Sequence, residues 1–257
     1  MKKKIISLLA IVCVLATTGF AQEYKLAKST GKLVINLSAV TVEGYNGNEI
    51  VFSSLKSKGD DDERAKGLRP INASGNTDNT GLGISVEEKG GVIEVNPVGK
   101  VDDVKIMVPK GVSVSYKYSK LLTGRSTSVF KNLESELEVS VSYNKIKLEN
   151  VTGPVTAKTI YGAIDAEFGQ NIKGPLSLVS VYGHVDVAIP TTTKANLKLN
   201  SSWGEILASS ELKIEVEKAA GDMISYRENN VKGKLNGGGF DLNLTSNYGK
   251  VYLRKTN

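Results

Sequence analysis

From Leu137 to Leu253 apolar and polar residues alternate in short runs, and the runs are registered on a recurring aromatic-glycine pair. The pair occurs at Tyr161-Gly162, Tyr182-Gly183, Trp203-Gly204 and Tyr248-Gly249, with Tyr143-Asn144 as a near variant. Successive aromatics are 18, 21, 21 and 45 residues apart, the last close to two intervals. A period of this size predicts stacked structural units. Four residues before the aromatic stand Val139, Ala157, Leu178, Leu199 and Leu244; six before stand Leu137, Val155, Leu176, Leu197 and Leu242. Positions two apart share one face of a strand, so these columns predict the buried face of a strand ending at each pair. Two before the aromatic the column is Val141, Thr159, Ser180, Ser201 and Ser246, which predicts a polar ladder near a turn.

Beyond the glycine the apolar columns resume at the third and fifth positions, as Ile146, Ile164, Val185, Ile206 and Val251, then Leu148, Ala166, Val187, Ala208 and Leu253. An odd offset would send them to the opposite face of a straight strand, so the chain is expected to bend at the pair. Glycine suits a corner with positive φ, and asparagine, as at Asn144, is a usual substitute. A second marker, Asn150-Val151-Thr152-Gly153-Pro154-Val155, recurs as Asn171-Ile172-Lys173-Gly174-Pro175-Leu176 and, more loosely, as Asn230-Val231-Lys232-Gly233-Lys234-Leu235. Gly-Pro breaks one strand and opens the next. Two corners with short alternating strands predict an all-β chain coiled as a parallel β-solenoid, with successive turns in ladder contact at ~4.8 Å. An antiparallel sandwich or meander is the alternative. No stretch outside the N-terminus carries a helical stripe.

The first part of the chain is less regular. Residues 31–55 read as strands around the tight turn Gly44-Tyr45-Asn46-Gly47, and 56–83 read as a long polar excursion, mobile or used for binding. Strand pattern returns at 84–95, 101–108, 112–116 and 195–199. Leu212, Ile214 and Val216 predict another strand, in a degenerate turn that lacks the aromatic-glycine corner, beside a protrusion at 218–230. Gly237-Gly238-Gly239 lacks the lysine, hydroxyl and helix of a phosphate cradle and is expected to be a bend. The organisation expected is a signal peptide at 1–21, a β-rich segment at 22–100, and solenoid repeats at 101–257 continuous with it.

Lys2, Lys3 and Lys4 precede an apolar run from Ile5 to Ala16, and Gly19-Phe20-Ala21 offers small residues before a cleavage site. The run is short of the ~20 residues a membrane helix needs, and no later stretch reaches that length. Export to the periplasm, outer surface or exterior follows, with no membrane span after signal removal. The sole cysteine, Cys13, lies within the signal, so the mature chain has no disulfide or thiolate zinc site. Removing the signal lowers the formal charge from +6 to 6 − 3 = +3. The remaining basic residues are interspersed with acids, which argues against a nucleic-acid partner. Asp60, Asp61, Asp62 and Glu63 follow Lys56 and Lys58 as a solvated run without the alternating ligands of a calcium loop.

The opening strands with Gly44-Tyr45-Asn46-Gly47, the element Val108-Pro109-Lys110-Gly111 and the later aromatic-glycine repeats together resemble the DUF4097-type putative adhesin family, over roughly residues 30–257 and most strongly over 101–257. That resemblance implies an exported bacterial β-repeat protein with a right-handed β-helix and no catalytic residues to carry over. The chain departs from it at the excursion 56–83 and at the interrupted turn after Trp203.

Candidate chemistry is sparse. His184, the only histidine, is expected to face Glu205 on the next turn as a surface hydrogen bond, short of a catalytic triad or a metal site. Asp165 and Asp186 share a column, where stacked carboxylates could raise one pKa or attract a cation; exposed acids beside lysines are the simpler expectation. Ile160, Val179 and Val181 interrupt polar columns beside Tyr161 and Tyr182 and form an apolar patch for a partner chain, the protein's own N-terminal segment or a sugar face. The aromatics, Trp203 included, are expected to stack at internal corners, and to contact glycans if exposed. No cofactor or metal is implied. A noncatalytic, adhesin-like envelope protein that contacts protein or glycan, or associates with itself, is the expected function. A polysaccharide lyase or hydrolase using Asp165, Asp186 or Glu205 is the rival, and a purely structural periplasmic role the third reading.

Overall fold

The structure, a computed structural model, describes residues 23–54, 63–99, 101, 104–121, 126–217 and 229–256. The expected signal peptide with Cys13, the acidic run at 60–62 and most of the expected protrusion at 218–230 lie outside these. The described residues are almost entirely strand and turn. In chain order the strands are β1 (Glu23–Leu26), β2 (Thr30–Ile35), β3 (Val40–Tyr45), β4 (Ile50–Ser54), β5 (Ile84–Lys89), β6 (Val92–Pro97), β7 (Val104–Pro109), β8 (Gly111–Tyr118) and β9 (Thr127–Lys131). There follow β10 (Leu137–Val141), β11 (Lys145–Glu149), β12 (Val155–Thr159), β13 (Ile164–Glu167), β14 (Leu176–Ser180), β15 (Val185–Ile189), β16 (Ala195–Ser201), β17 (Ile206–Ala208), β18 (Ile214–Val216), β19 (Asn229–Leu235), β20 (Phe240–Ser246) and β21 (Val251–Lys255).

These strands form two mixed sheets. One has ten strands in the order β1-β4-β7-β3-β9-β11-β13-β15-β21-β17, the other eleven in the order β18-β19-β16-β20-β14-β12-β10-β8-β2-β6-β5. From β8 to β17 the chain alternates between the sheets, so each rung is one strand of the larger sheet followed, across the aromatic corner, by one of the smaller. Neighbouring rungs pair in parallel. Antiparallel pairs appear toward the ends, between β1, β4 and β7, between β5 and β6, and between β16, β19 and β18.

The order of rungs in space departs from the order in sequence at both ends. The rung β20/β21 inserts between β14/β15 and β16/β17, pairing in parallel with each. The rung β2/β3 likewise inserts between β6/β7 and β8/β9. The strand expected around Leu212, Ile214 and Val216 is present as β18, but it runs antiparallel to β19 and is not one strand of a parallel coil. The looser third copy of the Gly-Pro marker is no corner either: Asn230 to Leu235 lie within β19, with Gly233 opposite Leu197 and Val216.

The apolar columns read from the repeat line one buried cluster that draws on both sheets. Leu137, Ala157, Leu176, Leu178, Leu242 and Leu244 are fully buried, as are Ile146, Ile164, Val185 and Val251 beyond the corner. Ile206 and Ala208 are the exceptions: β17 is the last strand of its sheet, so one flank of each is uncovered. Burial of aliphatic side chains on this scale is the main stabilising term, at about 25 cal/mol per Å² of apolar surface.

Part of the polar excursion is a fixed cap. Asp78, itself buried, accepts hydrogen bonds from the N–H groups of Thr80, Gly81 and Gly83 and from the Thr80 hydroxyl, at 2.8–3.0 Å. Asn79 exchanges two hydrogen bonds with the backbone of Val86, and Leu82 reaches the core. This half of the excursion is held by the protein itself.

Candidate binding surface

Each of the four aromatic-glycine corners is built from three residues with different tasks. The hydroxyl two positions before the aromatic is buried and bonds twice to backbone: Ser180 accepts from the Gly183 N–H at 2.9 Å and donates to the Gly162 carbonyl of the preceding rung at 2.8 Å. Thr159, Ser201 and Ser246 repeat that arrangement. The polar ladder expected here therefore runs through backbone groups, which satisfies carbonyls and amides that the bend removes from the sheet.

The corner glycines are required for a reason other than φ. None of Gly162, Gly183, Gly204 and Gly249 has a positive φ. A Cβ at any of them would overlap the backbone carbonyl of the rung below. Close approach, rather than a left-handed backbone, excludes side chains. Positive φ belongs to the other corner, at Gly153 (+88°), Gly174 (+35°) and the asparagines Asn132 and Asn150. Asn144 ends the glycine column with ordinary φ, and its buried amide lies within hydrogen-bonding reach of the Ser38 carbonyl, the Tyr116 hydroxyl and Ser128. The Asn132–Asn150 side-chain bond of 2.9 Å extends this second corner; the short Asn-Val-Thr-Gly-Pro marker showed one of its two members.

The aromatics stack as expected but are not internal. Ring centroids lie 5.1 Å apart for Tyr143–Tyr161 and Tyr161–Tyr182, 4.9 Å for Tyr182–Tyr248 and 6.4 Å for Trp203–Tyr248, with ring planes within 13° of parallel. All five rings are nonetheless exposed, from 36% at Tyr143 to 65% at Trp203. The backbone ladder continues through the corner and sets this spacing: the N–H groups of Tyr161, Tyr182, Tyr248 and Trp203 bond to the carbonyls of Ser142, Ile160, Val181 and Asn247. Packed face to face, the inner rings present their edges and hydroxyls to solvent.

The other candidate residues flank this row. Ile160 and Val181 sit immediately before their tyrosines and are half-buried, as is Val179 on the outward face of β14. Among the described residues the N-terminal segment does not lie across them; β1 to β4 take places in the two sheets instead. His184 bonds to Asp165 at 2.7 Å and meets Tyr252 edge-on. Glu205 is not its neighbour, because the inserted rung brings Lys250 between them, and Glu205 pairs with Lys250 at 2.6 Å.

Asp165 and Asp186 are adjacent in register, yet each has its own cation. Asp165 contacts Lys145 as well as His184. Asp186 receives the Arg254 guanidinium at 2.7 and 3.0 Å, and Arg254 also lies 5.0 Å over the Tyr252 ring. Partial burial pushes the Asp165 pKa up, but Lys145 and His184 outweigh it and hold the carboxyl below its ordinary value. Asp165 is thus held in its ionised form, not raised as the general acid of glycoside hydrolysis must be. No group of three metal-ligating side chains occurs among the described residues.

No protein-family model matches the chain, and no curated protein matches it. Two solved structures are similar to it. One is a putative cell adhesion protein from Clostridium sporogenes, 14% identical, with a TM-score of 0.45 over 92% of this chain and all of that one. The other is a putative adhesin from Bacteroides fragilis, 11% identical, with a TM-score of 0.40 over 92% of this chain and 96% of that one. A likeness this distant carries no property of either protein to this chain.

Chemically, the surface offers phenol edges, one indole and half-buried aliphatics over a backbone whose hydrogen bonds are already made.

Proposed function

We propose that the protein is a noncatalytic, exported envelope protein of the DUF4097-type adhesin class, whose rungs coil as a right-handed parallel β-solenoid and hold a row of aromatics outward for protein or glycan contact. The observation that carries this reading is the ladder from Tyr143 to Trp203, stacked within itself at 4.9–6.4 Å while exposed to solvent. Rings fixed by one another and by the strand spacing lose little freedom when a partner arrives, and aromatics of this kind dominate binding surfaces. Ile160, Val179, Val181, His184 and Glu205 border the row and complete the contact surface. The neutralised carboxylates beside it support contact over catalysis.

The test is adhesion of the purified protein to bacterial envelope fractions, compared with a Tyr161→Ala/Tyr182→Ala variant. Loss of adhesion with the fold retained is the expected result. Unchanged adhesion in the double variant defeats the reading. Export is tested separately by the mass of the secreted chain, which should begin after Ala21.

A further inference from the structure

The aromatic row does not stop at Tyr143; it runs into a cleft. Val141 pairs with Tyr118, so Lys120 holds on its rung the place that Tyr143 holds on the next. Lys120 and Tyr118 line a cleft of 510 Å³, together with Lys117, Asn36, Asn96 and Asn72. Asn72 comes from the polar excursion and is anchored by its bond to the Pro97 carbonyl at 2.8 Å, and Asn36 is held to Asn96 at 2.9 Å. The cleft therefore has a wall of fixed amides, a phenol and two lysines.

The column next to the ladder carries charge of one sign. The outward column beside the ladder on the larger sheet reads Lys117, Ser140, Lys158, Val179, Thr245 and Asn200, without an acid. The next column contains Glu138, paired with Lys32 at 2.9 Å, and continues past the cleft to Glu94 on β6 and Glu87 on β5, the latter paired with Lys89. Lys117, Lys120 and Lys158 are exposed and none makes a salt bridge among the described residues, while the Lys117 charge helps hold Glu138 ionised. On the far side of the ladder, Asp165 and Glu205 are neutralised by Lys145 and Lys250.

From this arrangement we propose that the protein binds a uronate-bearing polysaccharide laid along the ladder, its end seated in the Asn/Lys cleft; the proposal rests on the contact reading above. Lysines 117, 120 and 158 meet the carboxylates. The phenol edges, one every rung at 4.9–5.1 Å, meet sugar hydroxyls, and the amides of the cleft hydrogen-bond the terminal residues. An acidic peptide fits less well. One common mode of capturing an extended peptide adds a strand to a free sheet edge, and the backbone N–H groups along this corner are already bonded from rung to rung. Recognition here falls to side chains.

The test is calorimetric titration of the purified protein with oligogalacturonate and alginate oligomers, with fully methyl-esterified oligogalacturonate and poly-glutamate as comparisons. Binding of a uronate oligomer, weakened by salt and abolished by esterification, is expected. A Lys117→Gln/Lys120→Gln/Lys158→Gln variant should bind roughly tenfold more weakly, with unchanged thermal stability, since exposed charge contacts contribute little each but add along a polymer. Equal binding of the esterified oligomer, full competition by poly-glutamate, no binding of either uronate, or an unaffected triple variant overturns the proposal. If the lysine variant keeps envelope adhesion while the tyrosine variant loses it, the contact function stands and the uronate assignment falls.

Discussion

Tyr182 stacks on Tyr248 at 4.9 Å, although Trp203 is the next aromatic of the repeat in the chain; Trp203 stands on the far side of Tyr248, at 6.4 Å. The final rung β20/β21 is thus an interior rung, and β16/β17, laid down earlier in sequence, is more peripheral. The N-terminal rung β2/β3 is interior in the same way. Near each end a rung is inserted out of sequence order, so the contacts that place it are long-range and form only once both partners exist.

Stability should follow spatial rather than sequential position. Leu244 in β20 is fully buried between β14 and β16, whereas Leu207 in β17 is 44% exposed. Leu244→Ala is expected to cost about 2–5 kcal/mol, as for other core leucines. Leu207→Ala should cost about 0.5 kcal/mol or less, as for ordinary surface changes. Urea denaturation of the two variants measures the difference, and equal losses would contradict the burial of Leu244 between β14 and β16.

The core was legible in the sequence because alternation is a local property. Leu178, Val187 and Leu244 could be assigned to the interior from spacing alone, and each is buried. Rung order was not legible. Leu176, Leu197 and Leu242 have the same apolar character, and any of the three satisfies a neighbour in the stack, so the repeat does not say which lies beside which. The same ambiguity misassigned His184 to Glu205 instead of Asp165. Glycine identity was read correctly at the corner, but the cause lay in the carbonyl of another rung, which φ-based reasoning cannot see. Exposure of the ladder was also hidden, since a regularly spaced aromatic reads alike whether it stacks inside the corner or outside it.

The hydroxyl column offers a sharper test of corner energetics. Ser180→Ala removes the acceptor of the Gly183 N–H and the donor to the Gly162 carbonyl without leaving room for a replacement. Stranding buried backbone groups costs about 1–3 kcal/mol, and a lowered melting temperature should report it. Ser180→Thr should retain most of the stability, because Thr159 makes both bonds in the same column. If Ser180→Ala melts like the parent, the column is not a structural element of the corner.

Acid titration should reveal the Asp165 cluster. Burial works against ionisation of Asp165, but Lys145 and His184 prevail and its folded pKa falls below the ordinary 3.8. A depressed pKa means that folding favours the ionised form. Its contribution is complete above pH 3.8 and is lost as pH falls through the lower folded value. Melting curves of the parent and Asp165→Asn should therefore be separated at neutral pH and converge in strong acid. A separation that stayed constant down the acid limb would show that the ion cluster contributes nothing.

Trp203 is the only tryptophan in the chain and makes the order of the ladder directly observable. Its stacked neighbour is Tyr248, with the ring planes 4° apart. Tyr248→Ala should shift Trp203 emission and alter the near-ultraviolet circular dichroism. Tyr182→Ala should leave both closer to the parent, although Tyr182 is nearer in sequence. Both substitutions interrupt two stacking contacts, each worth about 0.5–1.5 kcal/mol, so both should destabilise the protein by roughly 1–3 kcal/mol. The expected outcome is thus similar stability loss with unequal spectral change. A larger tryptophan response to Tyr182→Ala than to Tyr248→Ala would mean that the rungs follow sequence order and that β20/β21 is not interior.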